Sequence, residues 1–284
     1  MATFSNQATL TYLDTETTSN IVTGELLDVL SITKTALSDT YRAGGKVTFI
    51  ISVVNTGATP FGALCIADNL GAYTFEGSTL VPLSYAGDSL RLYVNGILNP
   101  SPTVSADSGL VVSDLSIPAN GNILLIYDTL VNAFAPLEAG STITNTVRFS
   151  GCGVGAPLTA SETITVERGA FLTISKSLFP LSVSENDRLT YTFVIQNTGN
   201  ADAVATDNVV ITDTFDPMLS DITVTYNGVT WSSPDDYTYN PLTGFFSTAE
   251  GQITVPAAAY TRDMETGRLI MTPGVAVVQV TGTI

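Results

Sequence analysis

The sequence predicts an all-β chain, two tandem β-sandwich domains preceded by an N-terminal β-hairpin. Three observations predict it. Thr, Val and Ser abound beside 23 Gly and 13 Pro, and no long stretch shows helical periodicity, which is the pattern of short strands joined by turns. One segment of the chain occurs twice. The strands that close the first copy recur, displaced, at the start of the chain.

The N-terminal stretch MATFSNQATLTY alternates like a half-buried strand, with Phe4, Ala8, Leu10 and Tyr12 on one face. That same face carries an amide, Asn6. Further on, LSITKTALSDTYRAGGKVTFIISVVNTG recurs as LTISKSLFPLSVSENDRLTYTFVIQNTG, matching Lys34 to Lys176 and Asn55 to Asn197 at equal spacing. CIADNL around Asp68 corresponds to VITDTFDP around Asp213. IPANGNILLIYDTL corresponds to TPGVAVVQVTGTI, with Pro118 opposite Pro273.

Beyond that point the first copy continues into STITNTVRFSG and LTASETITVERG, whereas the second stops at Ile284. Setting Asn6 against Asn145 aligns Phe4 with Ile143, Ala8 with Val147 and Leu10 with Phe149, and TTSNIVTGE then runs beside TASETITVE. The expected division is a hairpin over 1–28, a first domain over 29–169, and a second over 170–284 that lacks its final hairpin. A sandwich missing its last two strands has an open edge. The hairpin of one chain is therefore expected to complete the second domain of the next. Such a contact is head-to-tail and heterologous, and it propagates into a filament unless it closes a ring. The alternative is a monomeric surface adhesin or surface-layer module whose hairpin closes its own second domain.

Composition narrows the function. Ten basic residues against 26 acidic ones give a formal charge of −16, so a nucleic-acid partner is not expected. There is no histidine, which removes the commonest general base and metal ligand, and no phosphate-binding glycine loop or nucleophile elbow is present. Neither cofactor nor metal is expected. The pairs Asp14 with Glu16 and Asp235 with Asp236 lack calcium-loop spacing and read as solvated surface. The two cysteines, Cys65 and Cys152, read as a buried free thiol pair rather than a disulfide. Trp231, in VTWSSPDDYTYNP, reads as part of a turn with half-buried aromatics. Asn55 and Asn197 are expected to supply turn backbone angles. No apolar run approaches bilayer length, and no secretion leader is visible.

Only three lysines occur, Lys34, Lys46 and Lys176, and two occupy matching positions of the repeat. Leu30, Ile32, Lys34 and Ala36 alternate on one face, as do Leu172, Ile174, Lys176 and Leu178, so both lysines face a core. Asp68 follows Leu64 and Ile66 in phase, and Asp213 follows Val209 and Ile211. Burying isolated charges costs several kcal/mol each, roughly. A hydrogen-bonded ion pair with Asn as third partner is one way to offset that cost. The other is chemical: burial lowers the lysine pKa and raises that of the aspartate, so that a neutral amine attacks an Asn amide polarised by a protonated carboxyl. The product is a Lys–Asn isopeptide bond, formed once with loss of ammonia.

This constellation resembles the autocatalytic cross-link of bacterial pilin and adhesin domains. The resemblance implies cross-links Lys34–Asn145 within the chain and Lys176–Asn6 between subunits, assisted by Asp68 and Asp213. KVTFIISVVNTG and RLTYTFVIQNTG, each followed by an ITDTF-like strand, are similar to the conserved-repeat domain of bacterial surface proteins (domain of unknown function eleven). That resemblance implies Ig-like sandwiches in extracellular polymers, although ADNLGAY in the first copy departs from the TDTFDP of the second. The expected protein is not an enzyme. It is a structural subunit of a self-assembling fibre on a cell or spore surface, with itself as partner and an anchoring or tip subunit of unknown kind.

Overall fold

The computed structural model describes residues 2–26, 28–107 and 109–284, so the expected junction between hairpin and first domain includes Leu27, which lies outside them. The chain is all-β, and one short 3-10 turn, Ala205–Asp207, is the only helical element among the described residues.

Period-two alternation builds the first core. Along Lys46–Asn55 the inward residues Val47, Phe49, Ile51 and Val53 are buried, and along the paired strand Gly121–Val131 so are Ile123, Leu125, Tyr127 and Val131. One sheet runs in the spatial order Ile97–Asn99, Arg91–Val94, Gly121–Val131, Lys46–Asn55, Leu30–Ala36. The facing sheet runs Thr103–Ser105, Leu110–Ile117, Phe61–Asp68, Thr142–Gly151, Leu158–Val166, Thr40–Tyr41. A single apolar cluster joins the two inner faces. Each fully buried Leu, Ile, Val or Phe in it stabilises the fold by roughly 1.5–3 kcal/mol.

A second, separate cluster lies in the second repeat. Its larger sheet, Leu172–Phe179, Arg188–Asn197, Gly274–Thr283, Ser220–Tyr226, Val229–Thr230, faces a sheet of only three strands. In the first domain the strand bearing Asp68 pairs on both sides, with Leu110–Ile117 and Thr142–Gly151. Its counterpart Thr212–Thr214 pairs only with Phe245–Thr248 and is an open edge.

Asn55 and Asn197 act through their side chains rather than through unusual backbone angles. Neither has a positive φ. Both are fully buried at strand ends. The Asn55 amide donates to Thr59 O and Pro118 O (each 2.9 Å) and its oxygen accepts from Gly57 N (2.9 Å). Asn197 donates to Ala201 O (2.8 Å) and Pro256 O (3.0 Å) and accepts from Gly199 N (2.9 Å) and Phe171 N (3.0 Å). These matching bonds correct the alignment of Pro118 with Pro273, because Pro256 is the spatial counterpart.

Residues 259–273 are consequently an insertion, since Ala258 N donates to Gly199 O as Asn120 N does to Gly57 O, and they form a hairpin of Ala259–Arg262 and Leu269–Thr272. It grips the first domain. Leu269 N donates to Ala133 O (2.8 Å), and the Arg262 guanidinium lies 5.4 Å from the Tyr73 ring and 5.6 Å from Phe75.

The N-terminal segment is a formed hairpin, Ala2–Asn6 against Val22–Leu26 and Thr9–Tyr12 against Thr15–Thr18. Leu13 (φ 45°) and Asp14 (φ 60°) make its two-residue turn, which requires positive φ at both positions. The single strand expected over residues 4–12 is broken at Gln7 and Ala8, where Ser19 takes over: its hydroxyl accepts from Ala8 N (3.0 Å) and its carbonyl from the Gln7 amide (2.7 Å). Among the described residues the hairpin strands pair only with one another.

The thiols are free but not buried, as Cys152 is exposed and Cys65 half-buried. Trp231 is half-buried and stacks on Tyr226 at 5.0 Å. Asp236 closes its own turn by accepting from Ser232 N (2.7 Å).

Replacing Asn197 by Ala removes four hydrogen bonds and strands buried backbone groups. The second domain is expected to lose roughly 2–4 kcal/mol, since each buried unsatisfied group costs about 1–3 kcal/mol, read as a lower urea midpoint.

Candidate functional site

Alternation along Leu30–Ala36 leaves no choice about Lys34: with Ile32 and Ala36 inward, it too enters the core, and its side chain is fully inaccessible. The same applies to Asp68, in phase with Leu64 and Ile66. The two meet as a hydrogen-bonded ion pair between Lys34 Nζ and Asp68 Oδ2. Phe49 and Tyr127 wall the pair, with Nζ 4.9 Å and 5.9 Å from their ring centroids.

Asp68 is well supplied with donors. Its Oδ1 accepts from Leu70 N (2.9 Å), and its Oδ2 also accepts from the Tyr127 hydroxyl. Burial lowers the Lys34 pKa to about 8 from 10.5, opposed by the charge and hydrogen bond of Asp68 and by the more distant Glu162. Burial, reinforced by Asp68, pushes the Tyr127 phenol well above its ordinary value, so it is a hydrogen-bond donor at neutral pH.

Asn145 completes the cluster. It lies on Thr142–Gly151 between buried Ile143 and Val147 and is itself fully buried. Its Oδ1 accepts from Gly71 N (3.2 Å), and its Nδ2 has no hydrogen-bond partner. Asn145 is thereby placed next to the Asp68 loop, through Gly71, and near the Tyr127 phenol, whose pKa it lowers slightly. None of the Asp68 hydrogen bonds among the described residues reaches Asn145.

The second repeat assembles half of this arrangement. Lys176 Nζ and Asp213 Oδ2 form an ion pair, and Lys176 sits over Tyr191 (4.4 Å), Phe215 (5.4 Å) and Phe193 (5.5 Å). The contact is an ion pair without hydrogen-bond geometry, since Asp213 Oδ2 is otherwise unpartnered. Exposure separates the two sites. Side-chain accessibility is 40% for Lys176 and 19% for Asp213, against zero for Lys34 and Asp68. Among the described residues the contacts of Lys176 are with Asp213 and the three rings and include no asparagine, and Asn6 is exposed on the hairpin together with Phe4 (61%), Ala8, Leu10 (64%) and Tyr12 (70%).

Tyr127 is the member that sequence reasoning missed. Its place in GNILLIYDTLV, in phase with Ile123 and Leu125, marks it as inward-facing but does not say which side chains it meets. Val280 holds the corresponding position: Tyr127 faces Phe49 across the strand pair as Val280 faces Tyr191.

No protein-family model matches the sequence, and no curated protein matches it. The likeness to the conserved-repeat domain thus rests on the motifs quoted above. Among solved structures, the major pilin subunit of Bacillus cereus is similar at 10% identity, over 96% of this chain and 73% of that one, with a TM-score of 0.36. The pilus backbone of Streptococcus pneumoniae is similar at 10% identity over 86% and 55%, with a TM-score of 0.35. The collagen-binding subdomain of the Enterococcus faecalis surface protein ACE is similar at 8% identity over 51% and 100%, with a TM-score of 0.32. Likenesses this distant carry no functional argument, and the reading below rests on the chain's own geometry.

Two stability experiments discriminate the sites. Lys34→Met leaves Asp68 buried without its cation and is expected to cost about 3–5 kcal/mol, whereas Lys176→Met, at a half-exposed pair, is expected to cost under about 1 kcal/mol in the monomer; urea unfolding of each reads the difference. In Asn145→Ala, which has no amide to attack, Lys34 holds fewer protons folded than unfolded between pH about 8 and 10.5. Its contribution to stability is therefore flat below about 8 and rises with pH across that window, measurable as a shift in urea midpoint.

Proposed function

We propose that the protein is the structural subunit of a self-assembling extracellular fibre, polymerised head-to-tail by donation of the N-terminal hairpin and locked by Lys–Asn isopeptide bonds. The observation that carries this reading is the contrast between two versions of one site. In the first domain, Thr142–Gly151 pairs with the strand bearing Asp68 and with Leu158–Val166, and its buried Asn145 accepts from Gly71 N in the loop that follows Asp68. In the second, the equivalent pair is half-exposed beside an unpaired strand edge, while a free two-stranded element carries Asn6.

The hairpin fits that vacancy in kind. Phe4 and Asn6 stand two residues apart like Ile143 and Asn145. Gly24, opposite Phe4, leaves space for the ring: a Cβ there would lie 2.4 Å from Phe4 Cζ. Exposed Phe4, Leu10, Tyr12 and Val22 would be buried on insertion, and their removal from water supplies the driving force. Main-chain pairing to Thr212–Thr214 would fix the register. Lys176 would then attack the Asn6 amide of the neighbouring chain with Asp213 beside it, while Lys34 and Asn145 staple each subunit internally.

This reading places the protein on a cell or spore surface, the setting of the conserved-repeat family it resembles. No helix among the described residues is long and apolar enough to cross a membrane.

Purified protein boiled in detergent and reductant is expected to run as a ladder of multimers. Lys176→Ala should abolish the ladder yet leave filaments visible by electron microscopy, and deletion of residues 2–27 should abolish both. Filaments formed by the truncated chain would refute hairpin donation.

A further inference from the structure

We infer that the backbone N–H of Gly71 is the oxyanion donor of the first-domain cross-link, holding the Asn145 carbonyl oxygen while Lys34 attacks, with Asp68 as the proton carrier. The inference rests on the isopeptide reading above and adds the group that polarises the amide.

The loop after Asp68 is built for this contact. Gly71 N lies 3.2 Å from Asn145 Oδ1 and shares its hydrogen with Asn69 Oδ1 (3.0 Å). Asn69 in turn ties the loop to the strand bearing Asn145: its Oδ1 accepts from Thr146 N (2.8 Å) and its N donates to Thr146 O (3.0 Å). Gly71 has φ +76°, and a Cβ there would lie 2.5 Å from Ile143 Cγ2 and 3.1 Å from Pro82 Cγ. No residue with a side chain could bring its N–H so close.

The other groups are committed elsewhere. Both Asp68 oxygens accept hydrogen bonds, from Leu70 N on one side and from Tyr127 and Lys34 on the other, and neither is hydrogen-bonded to the Asn145 carbonyl. Gly71 N–H is left as the donor to the carbonyl. As charge grows on Oδ1, this fixed donor in a dry core tightens and lowers the barrier without reorganisation.

The step balances. The neutral Lys34 amine attacks Asn145 Cγ, forming the new C–N bond and placing negative charge on Oδ1 opposite Gly71 N–H. Asp68 takes one proton from Nζ and returns it to Nδ2. The Cγ–Nδ2 bond breaks and ammonia leaves. In the second repeat the residues after Asp213 are Thr214, Phe215 and Asp216, without a glycine, so the inference is confined to the first domain.

The test uses the full chain made by cell-free translation, with intact mass followed over time as ammonia is lost. In one sample glycolic acid replaces Gly71, which exchanges the N–H for an ester oxygen. The ester chain is expected to cross-link about 10²–10³-fold more slowly than the natural chain; an equal rate would overturn the inference. The pH profile is an independent readout. The groups facing the Lys34 amine are Asp68, Tyr127 and Glu162. With Gly71 as polarising donor the rate should rise with pH to about 8, where the amine becomes neutral. A rate that falls above about 8 would return the polarising role to a protonated Asp68 and overturn the inference.

Should the ester chain fail to fold, the contact itself is measured in unreactive Asp68→Asn protein. A scalar coupling between Gly71 nitrogen and the Asn145 side-chain carbonyl carbon is expected, and its absence counts against the donor role. A natural chain that never loses ammonia would instead sink the isopeptide reading, and this inference with it.

Discussion

The structure turns on one costly placement, a lysine and an aspartate buried together in a hydrophobic sandwich. Two charges removed from water lose far more solvation than an ordinary surface pair recovers, so the surroundings must return it in full. In the first domain they do. Asp68 gathers a backbone N–H, a phenol and the ammonium, while two aromatic rings enclose the lysine. The enclosure requires the strands Thr142–Gly151 and Leu158–Val166 to be in place. Whatever supplies those strands therefore governs whether a domain of this design is complete.

The second repeat makes that dependence visible, because it has the charges without the cover. Its lysine remains half in water, and its aspartate meets the lysine in poor geometry. An incomplete site of this kind gains more from an incoming strand pair than a flat surface would. In the proposed assembly the incoming strands would bring an apolar face and an amide, and would exclude the water that screens the ion pair. Covalent closure, once water is gone, would make persistence a matter of bond cleavage rather than of equilibrium, a property suited to a fibre that meets proteases and shear.

The inserted hairpin at 259–273 joins the two domains through Arg262 and Leu269. In the first domain the corresponding connection is the tight turn from Pro118 to Gly121, which carries no such arm. The repeats thus share a core and differ in what projects from it.

The alternation of apolar residues determined the all-β class, the repeat, and the inward direction of Lys34, Asp68 and Asn145, because strand geometry sends every second side chain to the same face; along Leu172–Phe179 the same alternation leaves Ile174 and Lys176 exposed. Sequence comparison misplaced Pro118 against Pro273, since an insertion is invisible when both ends of it carry a proline. It gave Asn55 and Asn197 a backbone role, when burial makes their side chains the anchors of the turns. Only the tertiary structure could decide that Tyr127 and Gly71 join the cluster, as one arrives across the sheet from a distant strand and the other through a loop that leaves no space for a Cβ. It also decided that the two lysine sites differ in exposure. Phase along a strand gives the direction of a side chain, and only the neighbouring strands decide whether water reaches it.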